Sequence, residues 1–251
     1  MIDFVGAGCG AADLITVRGM KLLQDADVII YAGSLVNPEL LGYAKEGCEI
    51  YDSAKLTLDG IIDIMRSAEL AGKRTVRLQT GDLSLYGALR EQADRLDELG
   101  IEYRVTPGVS SMFGAAAALK AEYTLPAVSQ SVMITRMAGR TDVPERESIE
   151  KLASHGCTMV IFLSAGMTEE LSERLITGGY DPGTPAAIVY KATWQDEKVI
   201  RCTVGTLHDA AVSNGISRTA LIIVGRVLGS GYELSRLYDK TFETGFRKAE
   251  Q

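Results

Sequence analysis

Apolar residues recur along the chain with two periods, and the two alternate in a regular order. Residues 2–5 form a short apolar run that ends at Gly6, the pattern of a buried strand. Thr16 follows as a helix cap, with Val17, Met20, Leu22 and Leu23 spaced for one helix face. A strand is predicted at 28–31. Leu58, Ile61, Ile62 and Met65 then return to helical spacing, and Gly72 closes that helix. Residues 74–78 read as a strand, 85–99 as a helix stopped by Gly100, and 101–105 as a further strand. This alternation predicts a parallel sheet with ligands beyond the carboxyl ends of its strands.

An alanine-rich helix at 110–120 precedes a restart of the pattern. Strands are predicted at 131–136, 158–163, 186–190, 198–204 and 220–224. The two that flank residues 193–197 have a short polar connection, which antiparallel strands allow and parallel strands do not. The expected fold class is α/β, with two α/β domains. Residues 1–121 carry a glycine loop, 122–230 a mixed sheet, and the polar tail 231–251 is expected to fray.

Composition narrows the function classes. The 251 residues are 46% apolar and 24% charged, an ordinary globular balance. The first twelve residues have no basic segment ahead of an apolar run, and no stretch reaches the length of a membrane span. A cytoplasmic protein without a membrane partner is therefore expected. Cys9, Cys48, Cys157 and Cys202 are scattered without a CxxC pair, and His155 and His208 lie in polar stretches. Reduced thiols and no protein-bound metal fit that usage. A net charge of −7 argues against nucleic acid as a partner, so an anionic ligand has to be met by a few placed cations.

Gly6, Gly8 and Ala11 match the dinucleotide pattern G-x-G-x-x-G/A directly after a strand. That pattern needs a carboxylate at the end of the second strand, where this chain has Tyr31-Ala32-Gly33-Ser34. The helix also begins near Thr16, several residues too late for its N-terminus to receive a pyrophosphate. A nicotinamide or flavin ligand is disfavoured on both grounds. A glycine turn used only for close chain packing is the other reading.

Three further segments give the loop its context: TGDLSLYG at 80–87, TPGVSS at 106–111 and YKATWQDE at 190–197. Together with the opening GAGCGAADLIT they resemble the tetrapyrrole methylase family, from residue 1 to about residue 227. The resemblance implies S-adenosylmethionine bound in the cleft between two α/β domains, methyl transfer to a carbon of an anionic tetrapyrrole, and a homodimer. Residues 31–36, 134–141 and 190–197 resemble the branch that methylates carbon 11 of precorrin-4, with or without cobalt. The chain departs from the family pattern at Cys9, which replaces a proline, at Ala11-Ala12, which replace Asp-Pro, and at Leu83, which replaces the proline of GDP. Positions 32 and 33, where some sirohaem-forming relatives carry an aspartate base, are alanine and glycine here, so that role is not carried over.

The resemblance assigns cofactor contacts to Cys9, Thr80, Gly81, Asp82, Leu85, Tyr86, Ser110, Ser111, Leu163, Ala192 and Ala220. Read as residues alone, Asp82, Ser110 and Ser111 also suit helix caps, and Leu85, Leu163 and Ala192 suit a core. A polycarboxylate substrate calls for cationic forks, for which Arg136, Arg140 and Lys191 are the candidates; solvated surface charge is their other reading. No side chain is assigned as a catalytic base. A family member acting at a different tetrapyrrole carbon is one alternative; a non-catalytic module for adenosyl ligands is the alternative from another class, and the intact Gly81-Asp82, Pro107-Gly108 and Ala192 positions speak against it.

Overall fold

A computed structural model describes residues 1–33 and 35–249 of the chain. They divide into two compact units. One consists of Met1–Ala115 with Lys191–Glu197, the other of the remaining described residues.

The first unit contains β1 (Ile2–Gly6), α1 (Val17–Asp25), β2 (Val28–Tyr31), β3 (Glu49–Asp52), α2 (Leu58–Leu70), β4 (Thr75–Gln79), α3 (Leu89–Glu98) and β5 (Tyr103–Thr106). Their sheet has the order β3-β2-β4-β1-β5, with every pair parallel. Helix α1 starts where the Thr16 hydroxyl accepts the Gly19 N–H, and α2 where Thr57 does the same for Gly60. Ile2 and Phe4 of β1 pack with Ile61 and Met65 of α2 and Leu96 of α3. Val5 packs on the other face with Leu23 of α1. Complete burial of side chains such as Phe4, Leu23 and Met65 contributes about 1.5–3 kcal/mol each.

The connection from β1 to β2 crosses β4 in one direction, whereas that from β4 to β5 crosses β1 in the other. Right-handed crossovers therefore put α1 and α3 on opposite faces. The loops that leave the adjacent strands β1 and β4 part at a topological switch point, the place where open α/β sheets bind ligands.

Two elements differ from expectation. Strand β3 has no apolar run to announce it: it is an edge strand paired only with β2, and its Ile50 is exposed. Helix α3 begins at Leu89 rather than 85, because Tyr86 and Ala88 adopt left-handed backbone (φ 55° and 49°) that no helix contains.

Helix α4 (Ser111–Leu119) follows β5. The second unit holds β6 (Val132–Arg136), α5 (Ile149–Ala153), β7 (Thr158–Phe162), α6 (Thr168–Thr177), β8 (Pro185–Tyr190), β9 (Lys198–Thr203), α7 (Leu207–Ser213) and β10 (Ala220–Val224). Its sheet runs β6-β7-β10-β8-β9, with β6 and β7 parallel and the other pairs antiparallel. This is the mixed sheet predicted from the short 193–197 connection. Met159, Ile161, Leu171, Leu175, Ile188, Leu207 and Ile222 form its core. In the tail, Arg247 donates to the carbonyls of Leu237, Asp239 and Phe242. No helix among the described residues is long and apolar enough to cross a membrane.

Candidate functional site

Three loops of the first unit meet in backbone contact at the carboxyl ends of β1, β4 and β5. Gly8 and Gly81 form an antiparallel bridge, with Gly81 N–H donating to the Gly8 carbonyl at 2.9 Å. A Cβ on Gly6 would stand 2.5 Å from Gly108 N and 2.7 Å from Gly81 O; one on Gly108 would stand 2.1 Å from Gly81 O. Contacts that short do not exist between real Cβ atoms and backbone, so these glycines let three chains touch. The glycines thus serve close packing, and the same packing fixes the positions of the residues that follow.

Asp82 locks this junction. Its Oδ2 accepts the Gly108 N–H at 2.9 Å, and its Oδ1 accepts the Ser84 N–H at 2.9 Å and the Ser84 hydroxyl. Burial by itself would raise the carboxyl pKa; the hydrogen bonds from Ser84 and Gly108 outweigh it and hold the group below the ordinary carboxylate value. Oδ2 keeps one lone pair for a further donor. The cap suggested for Asp82 falls elsewhere, since Asp82 closes a turn through its carbonyl and Leu85 N–H, and α3 starts seven residues later.

Donors toward a ligand are also present. The Thr80 hydroxyl oxygen is buried and lacks a hydrogen-bond partner among the described residues. Ser110 is buried and its hydroxyl accepts only weakly, from Met112 N at 3.4 Å; Ser111 begins α4. A buried orphan hydroxyl beside a left-handed glycine (Gly81, φ 64°) fits a polar ligand such as the S-adenosylmethionine expected from the family motifs. Leu85 is half-buried, and Tyr86 is exposed.

The segment Lys191–Glu197 completes the glycine loop. Thr193 Oγ1 accepts the Ala11 N–H at 3.0 Å and lies 3.6 Å from Cys9 Sγ. A Cβ on Gly10 would meet the Trp194 ring at 2.4 Å and the Ala192 carbonyl at 2.6 Å. Asn37 Nδ2 donates to the Gly10 carbonyl at 3.0 Å. Cys9 and Ala192 are accordingly buried. Lys191 is ion-paired with Asp196 at 2.6 Å and lies 5.3 Å from the centre of the Trp194 ring.

Sequence reasoning missed one carboxylate. Asp52, at the end of β3, accepts the Gly33 N–H at 3.1 Å and the Ala54 N–H at 2.9 Å. Asp52 thus holds the backbone after β2, and a Cβ on Gly33 would stand 2.1 Å from Asp52 Oδ1. Ser34 of the same motif lies outside the described residues. Thr193, Trp194 and Asn37 were also missed, because only the folded chain brings them to the glycine loop.

In the second unit, Arg136 ends β6, Leu163 follows β7, Ala220 starts β10 and Tyr190 ends β8. The pairings Arg136–Phe162 and Ala220–Tyr190 gather these positions at one end of the sheet. Leu163 is exposed with left-handed backbone (φ 55°), and Ala220 is half-buried. The Arg136 guanidinium donates to the carbonyls of Met137, Thr141 and Asp142, so its fork holds its own loop. Arg140, at the tip of that loop, is exposed.

A family model described as Tetrapyrrole (Corrin/Porphyrin) Methylases matches residues 1–208. A cobalt-precorrin-4 C(11)-methyltransferase of Methanocaldococcus jannaschii is 52% identical over 249 residues, which is 99% of this chain and 96% of that protein. Its counterpart from Priestia megaterium is 46% identical over 248 residues, 97% of this chain and 96% of that protein. The X-ray structure of a cobalt precorrin-4 methyltransferase, a cobalamin biosynthetic enzyme, matches with a TM-score of 0.89 at 44% identity, over 91% of this chain and 96% of that one.

Proposed function

The chain belongs to the tetrapyrrole methylase family, and we infer that it is an S-adenosylmethionine-dependent methyltransferase that methylates carbon 11 of cobalt-precorrin-4. The observation that carries the reading is the 52% identity over nearly the full length of a protein with that activity. The packed junction of Gly6, Gly81 and Gly108 adds to it, since it puts the motif loops together at a sheet's switch point.

The bound donor supplies a methyl on a sulfonium, an electrophile with a neutral leaving group. What the chain has to do is bind, align and exclude water. In this reading Gly81 gives close backbone approach, while Thr80, Ser110 and Ser111 present hydroxyls and backbone groups to the donor. Asp82 keeps the β4 and β5 loops in register and offers its remaining lone pair. Cys9, Leu85, Tyr86 and Ala192 give apolar surface around it. The nucleophile is an electron-rich carbon of the macrocycle, and no side chain is assigned as a base. Arg140 meets a substrate carboxylate at the exposed tip of its loop. Arg136 acts there by holding that loop, and Lys191, which Asp196 holds in an ion pair, is the third candidate cation for the substrate.

We further place the protein in the cytoplasm as a homodimer. Four cysteines without disulfide partners suit a reducing compartment, and the dimer follows the family. Incubation with S-adenosylmethionine and either cobalt-precorrin-4 or metal-free precorrin-4, followed by mass spectrometry and carbon-13 assignment, tests the activity. One added methyl at carbon 11 of the cobalt substrate is expected; methylation at another carbon, or none, overturns the reading. Preference for the metal-free macrocycle would correct its cobalt half.

A further inference from the structure

Strand β4 is apolar on one face only. Val76 and Leu78 pack with α1, whereas Thr75, Arg77 and Gln79 are directed to the side of α2 and α3, and all three are buried. The neighbouring strands fill that side with Ile2, Phe4, Val28 and Ile30. A guanidinium 4% exposed among them, with no carboxylate partner among the described residues, is a costly way to fill a core. Its hydrogen bonds indicate what it does. Arg77 Nη1 donates to the Ile30 carbonyl at 3.1 Å, and Nε donates to Gln92 Oε1 at 2.9 Å. Held by its oxygen, Gln92 turns its amide nitrogen to the Ala88 carbonyl at 2.9 Å. Gln79 gives its own amide nitrogen to the Gly87 carbonyl at 2.6 Å.

Two successive carbonyls are thus gripped from the buried side, and they belong to the most strained turn in the loop. Tyr86 and Ala88 are non-glycine residues in left-handed backbone on either side of Gly87, where a Cβ would stand 2.5 Å from Leu83 O. Such residues persist only where their surroundings over-determine them. The turn continues directly from Gly81-Asp82 and carries Leu85 and Tyr86.

We propose, on the reading of this loop as part of the donor site, that Arg77, Gln79 and Gln92 are positioning residues that hold the turn at 86–88 and thereby set Leu85 and Tyr86 for ligand binding. Arg77 orients Gln92, and the two glutamine amides clamp the turn. None of the three touches the reacting atoms.

Gln92→Glu separates positioning from core filling. The glutamate keeps the size and strengthens the link to Arg77, but it has no N–H for the Ala88 carbonyl. The melting temperature should stay near that of the wild type. Affinity for S-adenosylhomocysteine, read by calorimetry, should fall about fivefold to tenfold, and amide exchange at residues 86–89 of the ligand-free protein should quicken. Ala88→Gly in that background should recover affinity, because glycine adopts the left-handed conformation without strain. Gln79→Met, which removes the other clamp at similar volume, should repeat the loss. Wild-type affinity and exchange in Gln92→Glu and Gln79→Met would overturn the proposal. If the wild-type protein itself failed to bind S-adenosylhomocysteine, the donor reading would fall instead, and the exchange data would still report on the clamp.

Discussion

The Asp82 carboxylate takes the backbone N–H of Gly108 at 2.9 Å, so one side chain joins the loop leaving β4 to the loop leaving β5. A motif aspartate read from sequence as a ligand contact or a cap is here a cross-link between two loops. Its second oxygen fixes the turn at Ser84 in the same way. Both loops flank the Gly6–Gly108–Gly81 junction, which has no spare volume in which to shift.

Removal of that cross-link should cost binding more than stability. Asp82→Ala is expected to weaken S-adenosylhomocysteine affinity by about 1–3 kcal/mol, the usual effect of leaving a ligand's buried donor without its acceptor. Loss of the local turn alone should lower stability by only about 1 kcal/mol. Asp82→Asn, which keeps one acceptor oxygen, should fall between wild type and alanine. Calorimetry paired with thermal unfolding makes the test; unchanged affinity with a large drop in melting temperature would reduce Asp82 to a structural group.

The pH dependence of binding follows from the same carboxylate. Its folded-state pKa is lowered, so the unfolded chain takes up the proton first as pH falls. The stabilisation is present in full above the ordinary carboxylate value and is lost as pH drops through the folded-state value. Donor-analogue affinity should therefore show no step from this group between neutral pH and the ordinary carboxylate range, and should decline only below it. A titration that breaks near neutrality, and keeps that break in Asp82→Asn, would point to a different group.

The glycine junction gives a sharper contrast in stability. A methyl at Gly108 would stand 2.1 Å from the Gly81 carbonyl oxygen, and neither backbone can move away independently. Gly108→Ala should cost about 3 kcal/mol or more, at the upper end for overpacking. At Gly42 a Cβ meets nothing within 4 Å, so Gly42→Ala should be neutral or slightly stabilising. Thermal unfolding of the two variants side by side checks the difference.

Much of this site was legible before the fold was known, and what was hidden has a common cause. Hydrophobic period, the threonine cap at 16 and the glycine stop at 72 located β1, α1, α2 and β4, because those signals are local. The short 193–197 connection gave the antiparallel pair β8–β9. Strand β3 was hidden because an exposed edge strand has no apolar face, and with it went the carboxylate of Asp52 against Gly33. The start of α3 was misplaced because left-handed backbone at the non-glycine residues Tyr86 and Ala88 leaves no mark in the apolar pattern. Thr193 stood in a quoted motif, but its bond to the Ala11 N–H spans 182 residues of sequence and leaves no mark in it.

The two arginines of the 134–141 motif should behave differently from each other, although sequence alone treats them alike. Arg136 is committed: its Nη1 and Nη2 donate to three carbonyls of its own loop, at 3.1, 3.1 and 2.7 Å. Arg140 is exposed at the tip of the loop that Arg136 holds. If Arg140 meets a substrate carboxylate, Arg140→Ala should raise the KM for cobalt-precorrin-4 by roughly tenfold or more, since a charge-assisted hydrogen bond contributes about 1.5–3 kcal/mol. Its kcat, its melting temperature and its affinity for S-adenosylhomocysteine should stay near wild type, the pattern of lost uniform binding. High salt should shrink the effect, because an exposed contact is screened. Arg136→Ala should raise the KM as well, but with a lower melting temperature, because three carbonyls lose their donors. Arg136→Lys should recover little, as an ammonium cannot span three carbonyls with a planar fork. Kinetics and unfolding of the three variants decide the matter. A wild-type KM in Arg140→Ala would return that residue to the solvated surface, and an unchanged melting temperature in Arg136→Ala would remove the role of its fork in holding the loop.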